Sequence, residues 1–330
     1  MNKLHLSLAC GDYDRTRALR DGSVQAQGIE LTYLSYRPSE TFWRMFKFEE
    51  FDVSEMSLSS YIMERSRGIN RFVAIPIFPS RLFRHGFIFI NTGSGIQRPE
   101  DLIGKRVGVP EYQQTASVWI RGFLQHDYGV TPDKVLWING GLEDPGRQEK
   151  VELRLPAGIR IQPAPAGKSL SAMLAAGELD ALVTARAPSC FINGSPNVRR
   201  LFPDYRTVEV DYFKRTGIFP IMHTIVIKEE LHRKHPWTAA SLYYAFCEAK
   251  ALCYRRMVDS AALIYTLPWF LPELESEREM LGHDLWPYGL AANRVALEAL
   301  VQYSYEQGLA EHKLEIESLF APSTVEEFKM

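Results

Sequence analysis

Stretches with the polarity pattern of β-strands alternate with helical repeats along the first part of the chain. The pattern predicts strands over residues 4–10, 29–36, 53–56, 72–78 and 86–91, which would together form one sheet. Such alternation is typical of an open α/β sheet, whose ligands bind beyond the carboxyl ends of the strands. We therefore expect an α/β protein with its ligand site in the loops that follow these strands.

A further strand and helix are predicted within residues 101–128. Residues 105–109 form the strand, and Pro110 ends it because proline has no N–H for a sheet ladder. Thr115 then caps a helix with one buried face, formed by Ala116, Trp119, Ile120, Phe123 and Leu124. The free N–H groups at the start of this helix, beside Gln114 and Thr115, predict an anion-binding site.

A capped helix and a buried strand follow at residues 169–185, where Gly177 ends the helix. In this order, the segments DLIGKRVGV, TASVWIRGFL and SLSAMLAAGELDALVTA resemble the second lobe of type II periplasmic-binding-protein-like folds. The resemblance implies two lobes, each an open mixed sheet flanked by helices, with a ligand cleft between them. Because MHTIVIK has the pattern of a strand that rejoins the first sheet, we expect lobe 1 to comprise residues 1–95 and 208–330, including the C-terminal helices. Lobe 2 would comprise residues 96–207.

The composition narrows the classes of partner. The chain has 330 residues, of which 46% are hydrophobic, and its net charge of −2 gives no electrostatic basis for binding nucleic acid or an anionic membrane. No apolar run approaches the roughly 20 residues needed to span a bilayer. The first residues, MNKLHLSLACGDYDRT, lack the long apolar region and cleavage site of a secretory signal. We therefore expect a cytoplasmic protein, whose four cysteines, without a CxxC pair, are reduced thiols.

The whole chain resembles the 4,5-dihydroxyphthalate decarboxylases, through LACGDYDRTRAL, FDVSEMSLSSYI, FPSRLFRHGFIFIN, GGLEDPGRQEK and residues 101–128. The resemblance implies a cytoplasmic carboxy-lyase of aromatic catabolism that converts its substrate to 3,4-dihydroxybenzoate and CO2. Its partner would be a small aromatic carboxylate, and a homo-oligomer is compatible with this assignment. One alternative is a solute-binding protein of an ABC-type uptake system for a small aromatic or organic acid, which the lack of a signal disfavours. The other is a cytoplasmic enzyme similar to those that act on menaquinone or thiamine precursors.

In the substrate that the resemblance implies, each carboxylate lies para to a hydroxyl group. Ionising this hydroxyl raises the electron density at the carbon that carries the carboxylate, where a proton adds before CO2 leaves. Arginine suits the binding of carboxylates, and histidine suits the proton transfer. The predicted catalytic residues are His85, His223 and Asp14. The predicted substrate-binding residues are Asp12, Ser57, Ser59, Arg81, Arg84, Gln114, Thr115, Ser117 and Arg186.

Several of these residues also have a purely structural interpretation. His223 would serve as a core histidine before the apolar run TIVIK, and Asp12 or Asp14 as a turn residue. The charged run GRQEK, at residues 146–150, has the simpler interpretation of a solvated loop. No HxH or HxxxH spacing predicts a metal site, and no cofactor is predicted. A divalent metal shared by catechol oxygens, His85 and His223 stays open, because histidine ligands can come from distant positions.

Overall fold

The computed structural model describes residues 3–147, 149–261 and 263–325. Its strands are β1 (Leu4–Ala9), β2 (Ile29–Leu34), β3 (Val53–Ser57), β4 (Phe72–Arg81), β5 (Ile88–Asn91), β6 (Arg106–Val109), β7 (Leu136–Asn139), β8 (Arg160–Pro163), β9 (Ala181–Val183), β10 (Val198–Arg200) and β11 (Ile221–Lys228). Its helices are α1 (Arg17–Arg20), α2 (Pro38–Phe48), α3 (Leu58–Ser66), α4 (Thr115–Tyr128), α5 (Leu170–Ala175), α6 (Ser189–Ile192), α7 (Tyr205–Thr216), α8 (Glu229–Lys234), α9 (Trp237–Met257), α10 (Phe270–Leu281) and α11 (Arg294–Glu306).

The first sheet has the strand order β2-β1-β3-β11-β4. β1 pairs in parallel with β2 and β3, since helices α1 and α2 make the crossovers between these strands. β11 returns from the distant part of the chain and pairs antiparallel with both β3 and β4. Every residue of β3 is buried, as is usual for a central strand covered on both faces.

The second sheet has the order β10-β5-β9-β6-β7-β8. β6 lies parallel to β7 and β9, and α4 provides the crossover from β6 to β7. β5 pairs antiparallel with β9 and β10. Both sheets are therefore mixed and flanked by helices, and the predicted two-lobed α/β fold is confirmed.

One strand lies in a different sheet from the predicted one. β5 was expected to complete the first sheet, which is wrong, because Ile88 pairs with Val183 of the second sheet. Polarity patterns identify a strand but not its partner, since the partner is almost a hundred residues away along the chain. We propose that the chain enters lobe 2 within residues 82–87, earlier than the 95/96 boundary. It returns within residues 201–220, a range that contains the 207/208 boundary.

Helix α4 joins the two lobes at the base of the cleft. Residues 115–124 are all buried, and the indole N–H of Trp119 donates to the carbonyl oxygen of Ile221, 2.8 Å away in the first sheet. Helix α11 packs on α3 of the first lobe and on α4. This packing requires Gly122, because a Cβ there would lie 2.1 Å from the Tyr303 ring. The main hydrophobic core accordingly contains side chains from both lobes.

The helices and the cysteines can be compared with the expectations from the sequence. Within the described ranges, no helix has both the length and the apolar character that a membrane span requires. The thiols of Cys10, Cys190, Cys247 and Cys253 are all free.

Candidate functional site

A cavity of about 680 Å³ opens between the lobes. The first-lobe side chains that line it include Phe42, Ser57, Met222 and His223. The second lobe contributes the start of α4, the segment after β9, and residues 141–147 with Lys150. Together with Glu149, we call residues 141–147 and Lys150 the cleft loop. Arg84, in the crossover between the lobes, also lines the cavity. This volume is in the range of cavities that bind small organic ligands.

A buried carboxylate holds the histidine of this cavity. Glu55 lies in β3, and its Oε1 is 2.6 Å from Nδ1 of His223 on the neighbouring strand β11. The same oxygen accepts a hydrogen bond from the Tyr13 hydroxyl at 2.6 Å, and Oε2 accepts one from the Gly11 N–H at 2.8 Å. Burial alone would raise the pKa of Glu55. The hydrogen bond and the positive charge of His223 outweigh this effect, together with the hydrogen bonds from Tyr13 and Gly11, so the pKa of Glu55 lies below its ordinary value. Glu55 is therefore ionised at neutral pH.

The contact with Glu55 leaves the other ring nitrogen of His223 for the cavity. An ionised carboxylate only accepts hydrogen bonds, so Nδ1 carries a hydrogen, a tautomer assigned from the network. Nε2 has no hydrogen-bond partner among the described residues, and the side chain is 17% exposed. Phe42 packs edge-on against the imidazole, with ring centroids 4.8 Å apart. His223 is thus oriented as a group that can exchange a proton with a ligand.

Arg84 supplies a buried positive charge at the cavity. The residue is 6% exposed, its Nε donates to the sulfur of Met222 at 3.2 Å, and its Nη1 donates to the carbonyl oxygen of Ala185 at 3.0 Å. In the described ranges, no carboxylate forms an ion pair with it. Burial, partly offset by the charge of Glu209, lowers the pKa of Arg84 to about 9, so the guanidinium stays protonated at neutral pH. A buried cation that faces a cavity without a counter-ion favours an anionic ligand.

Two further groups favour anions at the cavity. Arg186 is exposed there and forms no ion pair within the part of the chain that the structure describes. Helix α4 begins at the cavity wall with Thr115, and no side chain caps its first N–H groups. The Thr115 hydroxyl is 2.9 Å from those of Ser57 and Ser59, and Ser57 pairs with His223 across the sheet. The free N–H groups and the helix dipole therefore favour a negative ligand close to the histidine.

Buried acids fix the cleft loop over the cavity. Glu111 forms ion pairs with Arg147, whose Nε lies 2.6 Å from Oε1, and with Lys150. Glu149 accepts a hydrogen bond from the side-chain amide of Asn139 at 2.9 Å, and burial raises its pKa. Both Arg147 and Lys150 line the cavity, and the Lys150 side chain is only 8% exposed. The interpretation of GRQEK as a solvated loop is therefore wrong for Arg147, Glu149 and Lys150. Gly146 is exposed, and Gln148 lies outside the described residues.

Six of the twelve predicted site residues meet at this cavity. They are Ser57, Arg84, Gln114, Thr115, Arg186 and His223. Ser59 and Ser117 are buried directly behind the cavity wall. The Ser59 hydroxyl donates to the Gln113 carbonyl oxygen at 2.5 Å, and the Ser117 hydroxyl lies 3.4 Å from Oε1 of Gln114. These two serines support the start of α4 and do not face the ligand space.

His85 lies in an aromatic cluster outside the cavity. It is 1% exposed and stacks on Phe123, with ring centroids 3.9 Å apart, while Phe202 and Tyr212 pack around it. Burial lowers its pKa to about 4, and neither ring nitrogen has a hydrogen-bond partner among the described residues. The structure does not bring His85 to the ligand, because the turn after β4 directs the ring beneath α4 and α7.

The remaining predicted residues have partners within the protein. Asp12 forms an ion pair with Arg20 at 2.5 Å, and Asp14 forms one with Arg15 at 3.0 Å. Arg81 donates to two backbone carbonyl oxygens, at 3.1 and 2.9 Å, and to the side chain of Asn293. Burial lowers its pKa to about 9. None of these three predicted residues lines the cavity.

Two features of the candidate site were not predicted from the sequence. Glu55 carries a detectable signal, since a single acid inside the buried strand VSEMS requires a partner. The cleft loop carries no such signal, because it has no periodicity and its ion pairs join residues almost forty positions apart. As for a metal, no three His, Cys, Asp or Glu side chains converge as ligands within residues 3–147, 149–261 and 263–325.

The amino-acid sequence is similar to a known protein family and to named bacterial proteins. A model of the family described as NMT1/THI5 like matches residues 18–150. A Comamonas testosteroni protein named 4,5-dihydroxyphthalate decarboxylase is 42% identical over 330 residues, which cover 100% of both chains. A Pseudomonas putida protein of the same name is 47% identical over 214 residues, which cover 65% of this chain and 83% of that protein.

Structural comparisons agree with the two-lobed fold. The periplasmic aliphatic sulphonate binding protein SsuA from Escherichia coli superposes with a TM-score of 0.55 at 11% sequence identity, covering 98% of this chain and 99% of that one. The desulfurization enzyme DSZB superposes with a TM-score of 0.51 at 15% identity, covering 98% and 97% of the two chains. At these identities the similarity shows a shared fold, which both a binding protein and an enzyme adopt.

Proposed function

The chain belongs to the 4,5-dihydroxyphthalate decarboxylase family, and from that premise we propose that it converts 4,5-dihydroxyphthalate, or a close hydroxylated aromatic carboxylate, to 3,4-dihydroxybenzoate and CO2. The observation that carries this proposal is that His223, which is paired with the buried Glu55, lines the same cavity as Arg84. Among the described residues, no carboxylate forms an ion pair with this arginine. A decarboxylase of this kind must hold a dianion and deliver a proton to carbon. Arg84 would hold the dianion, and His223 would deliver the proton.

The adjacent carboxylates of the substrate bind at the positive side of the cavity. Arg84 lies against Met222, which precedes His223, and against Ala185, which precedes Arg186. Thr115, at the start of α4, contacts the hydroxyl of Ser57 in β3, the strand that pairs with the His223 strand β11. Two cations and a helix N-terminus thus favour a dianion next to the histidine, and the arginine side chains offer several donors each.

His223 then acts as the proton carrier. In its protonated form, Nε2–H donates its proton to the ring carbon that bears one carboxylate, while the electron pair of the new C–H bond comes from the ionised ring hydroxyl. The resulting dienone loses CO2, and the electrons of the broken C–C bond restore the aromatic phenolate. The neutral imidazole regains its proton from solvent. Glu55 stabilises the imidazolium and keeps the ring oriented, as carboxylates paired with histidine do in other acid–base sites.

The decisive experiment is a decarboxylation assay with a matched control. The wild-type protein should release CO2 from 4,5-dihydroxyphthalate with the spectral change of the ring, and His223→Asn should lose most of the turnover. His126→Gln is the control. His126 also forms a His–Glu pair, with its Nε2 2.7 Å from Oε2 of Glu306, but this pair does not line the cavity. The turnover of His126→Gln should match that of the wild type. Equal losses in both variants would refute the role of His223.

The same assay separates the enzyme from the uptake-protein alternative. A solute-binding protein would bind the aromatic acid without releasing CO2. Binding detected by calorimetry together with no CO2 release, over an extended incubation with the wild-type protein, would favour the binding protein and contradict the decarboxylase.

A further inference from the structure

The cleft loop carries positive charge that the proton transfer at His223 does not use. Glu111 is a single, fully buried carboxylate, and it pairs with both Arg147 and Lys150. Two cations against one anion leave an excess of one positive charge. Because both cations line the cavity, this excess faces the ligand.

The other acids of the loop and its neighbourhood do not cancel this charge by direct contact. Glu143 also lines the cavity, but its carboxylate accepts hydrogen bonds from the backbone and the hydroxyl of Ser189, which tie the loop to α6. Glu149 accepts from Asn139 and from backbone N–H groups of the turn before α4. Asp144 is exposed at the open side of the cavity. Within the described residues, Glu111 is the carboxylate that contacts Arg147 and Lys150 across the loop.

The two charged groups approach the ligand from opposite lobes. The Glu55–His223 pair belongs to β3 and β11 of the first sheet, whereas the cleft loop follows β7 of the second sheet. A single-ring ligand in the cleft therefore lies between them. If the edge with the carboxylates meets His223 and Arg84, the opposite edge, which carries the hydroxyl groups, meets the cleft loop.

We propose that Arg147 and Lys150, held by Glu111, stabilise the ionised ring hydroxyl that drives the decarboxylation. This inference rests on the proposed function and adds a second catalytic group to it. In this step the O–H bond of the hydroxyl para to the leaving carboxylate breaks, the electron pair stays on oxygen, and the proton passes to solvent at the open side of the cavity. The negative oxygen then lies beside the excess positive charge, which favours it over the neutral hydroxyl.

Glu111 has a positioning role in this arrangement. Without it, Arg147 and Lys150 would repel each other, and the largely buried Lys150 ammonium would have no counter-ion. With it, both cations are fixed at the wall and one positive charge remains for the ligand. A neutral loop wall would hold the catechol hydroxyls by hydrogen bonds but would not favour their ionisation.

The test uses 3,4-dihydroxybenzoate, the product that the proposed reaction releases, which carries the hydroxyl groups and one carboxylate. Ultraviolet difference spectra of the bound ligand across a pH series report its ionisation. In the wild type, the midpoint should lie about 1–3 pH units below that of the free ligand, the range expected for a group beside an opposite charge. Lys150→Gln should raise the midpoint by about one unit, and Lys150→Arg, which keeps the charge, should retain the wild-type midpoint.

Lys168→Gln is the matched control, since Lys168 pairs with Glu178 and does not line the main cavity. It should leave the midpoint unchanged. Equal midpoints for the free and the wild-type-bound ligand, an unchanged midpoint in Lys150→Gln, or no binding of 3,4-dihydroxybenzoate at millimolar concentration would each overturn the inference. Because the readout needs no turnover, its failure is distinguishable from absence of CO2 release, which would overturn the proposed function.

Discussion

Replacing Glu55 by glutamine removes a charge without removing much volume. The carboxylate accepts three hydrogen bonds, from His223, Tyr13 and the Gly11 backbone, and the first two share one oxygen. Glutamine retains one acceptor oxygen, but its NH2 group, a donor, takes the place of the second carboxylate oxygen. We therefore expect the variant to fold, with the imidazole less firmly oriented and its protonated form no longer stabilised by a negative charge.

The size of the effect follows from the geometry. With Nδ1 and Oε1 2.6 Å apart, the centres of the two charges are separated by roughly 4 Å, which corresponds to about 4 kcal/mol at an effective dielectric constant of about 20. Each 1.36 kcal/mol is a factor of about ten in rate. Allowing for partial compensation by the amide, kcat should fall about 100- to 1000-fold.

The measurement is the steady-state rate of CO2 release as a function of substrate concentration. Since Arg84 and the start of α4 are untouched, KM should stay within about threefold of the wild-type value, and the loss should appear in kcat. Glu306→Gln, which neutralises the His–Glu pair on the surface, is the matched control and should keep the wild-type kcat. A loss of less than tenfold in Glu55→Gln, or a rise in KM that accounts for it, would refute the assigned role.

The same variant makes a prediction about acid stability. Folding lowers the pKa of Glu55 from its ordinary value of 4.5, so the ionised carboxylate stabilises the native state at higher pH. This contribution is lost as the pH falls through the folded-state pKa, below 4.5. Glu55→Gln should therefore be less stable than the wild type at pH 7, and the difference should shrink in urea titrations at the lowest pH values.

Three further predictions address binding, a buried histidine and the packing between lobes. Arg84→Lys keeps the charge but loses the guanidinium fork, so the affinity for the dianion, measured by calorimetry, should fall about 10- to 100-fold. His85→Phe should keep kcat. Because folding lowers the pKa of His85 from 6.5 to about 4, the wild type loses stability as the pH falls through this window, by up to about 3 kcal/mol. The unfolding free energy from urea titrations at pH 7 and pH 5 should fall between these pH values in the wild type but not in His85→Phe. The same pH dependence in both proteins would contradict the assignment of this loss to His85. Gly122→Ala should lower the unfolding free energy by about 1–3 kcal/mol, because its Cβ would meet the Tyr303 ring, whereas the control Gly158→Ala, whose nearest contact is 3.8 Å, should change it little.

The sequence was sufficient to predict the features that depend on local rules. The start of α4 follows from Pro110, which ends a strand, and from the spacing of the apolar residues after Thr115. A helix that starts after a strand of an open sheet places its N-terminus at the ligand edge. The position of Gln114 and Thr115 at the cavity could therefore be predicted without knowledge of any distant contact. That an anion binds there stays a prediction.

Features that depend on non-local pairing could not be predicted in this way. Strand β5 has the same polarity in either sheet, and its assignment depends on β9, which lies far along the chain. His85 and His223 both stand next to buried strands, and only the tertiary structure shows that one ring lies beneath α7 and the other at the cavity. The Glu111 ion pairs likewise join positions that have no regular spacing.

A fold shared by a binding protein and an enzyme raises the question of which groups would turn binding into catalysis, and the groups that line this cavity fall into two sets. In the proposed reaction, Arg84, Arg186 and the start of α4, which line the cavity, would interact with the carboxylates before and during the chemical step. They would therefore lower the energies of the bound substrate and the transition state together. Such binding lowers KM without raising kcat. The proton proposed on His223, by contrast, would form its bond to carbon only as the transition state is reached, and Glu55 would act through its contact with this histidine. A protein with the first set alone would be a binding protein. The Glu55–His223 pair is therefore the feature that makes decarboxylation the proposed function, and it is the pair whose removal should separate affinity from turnover.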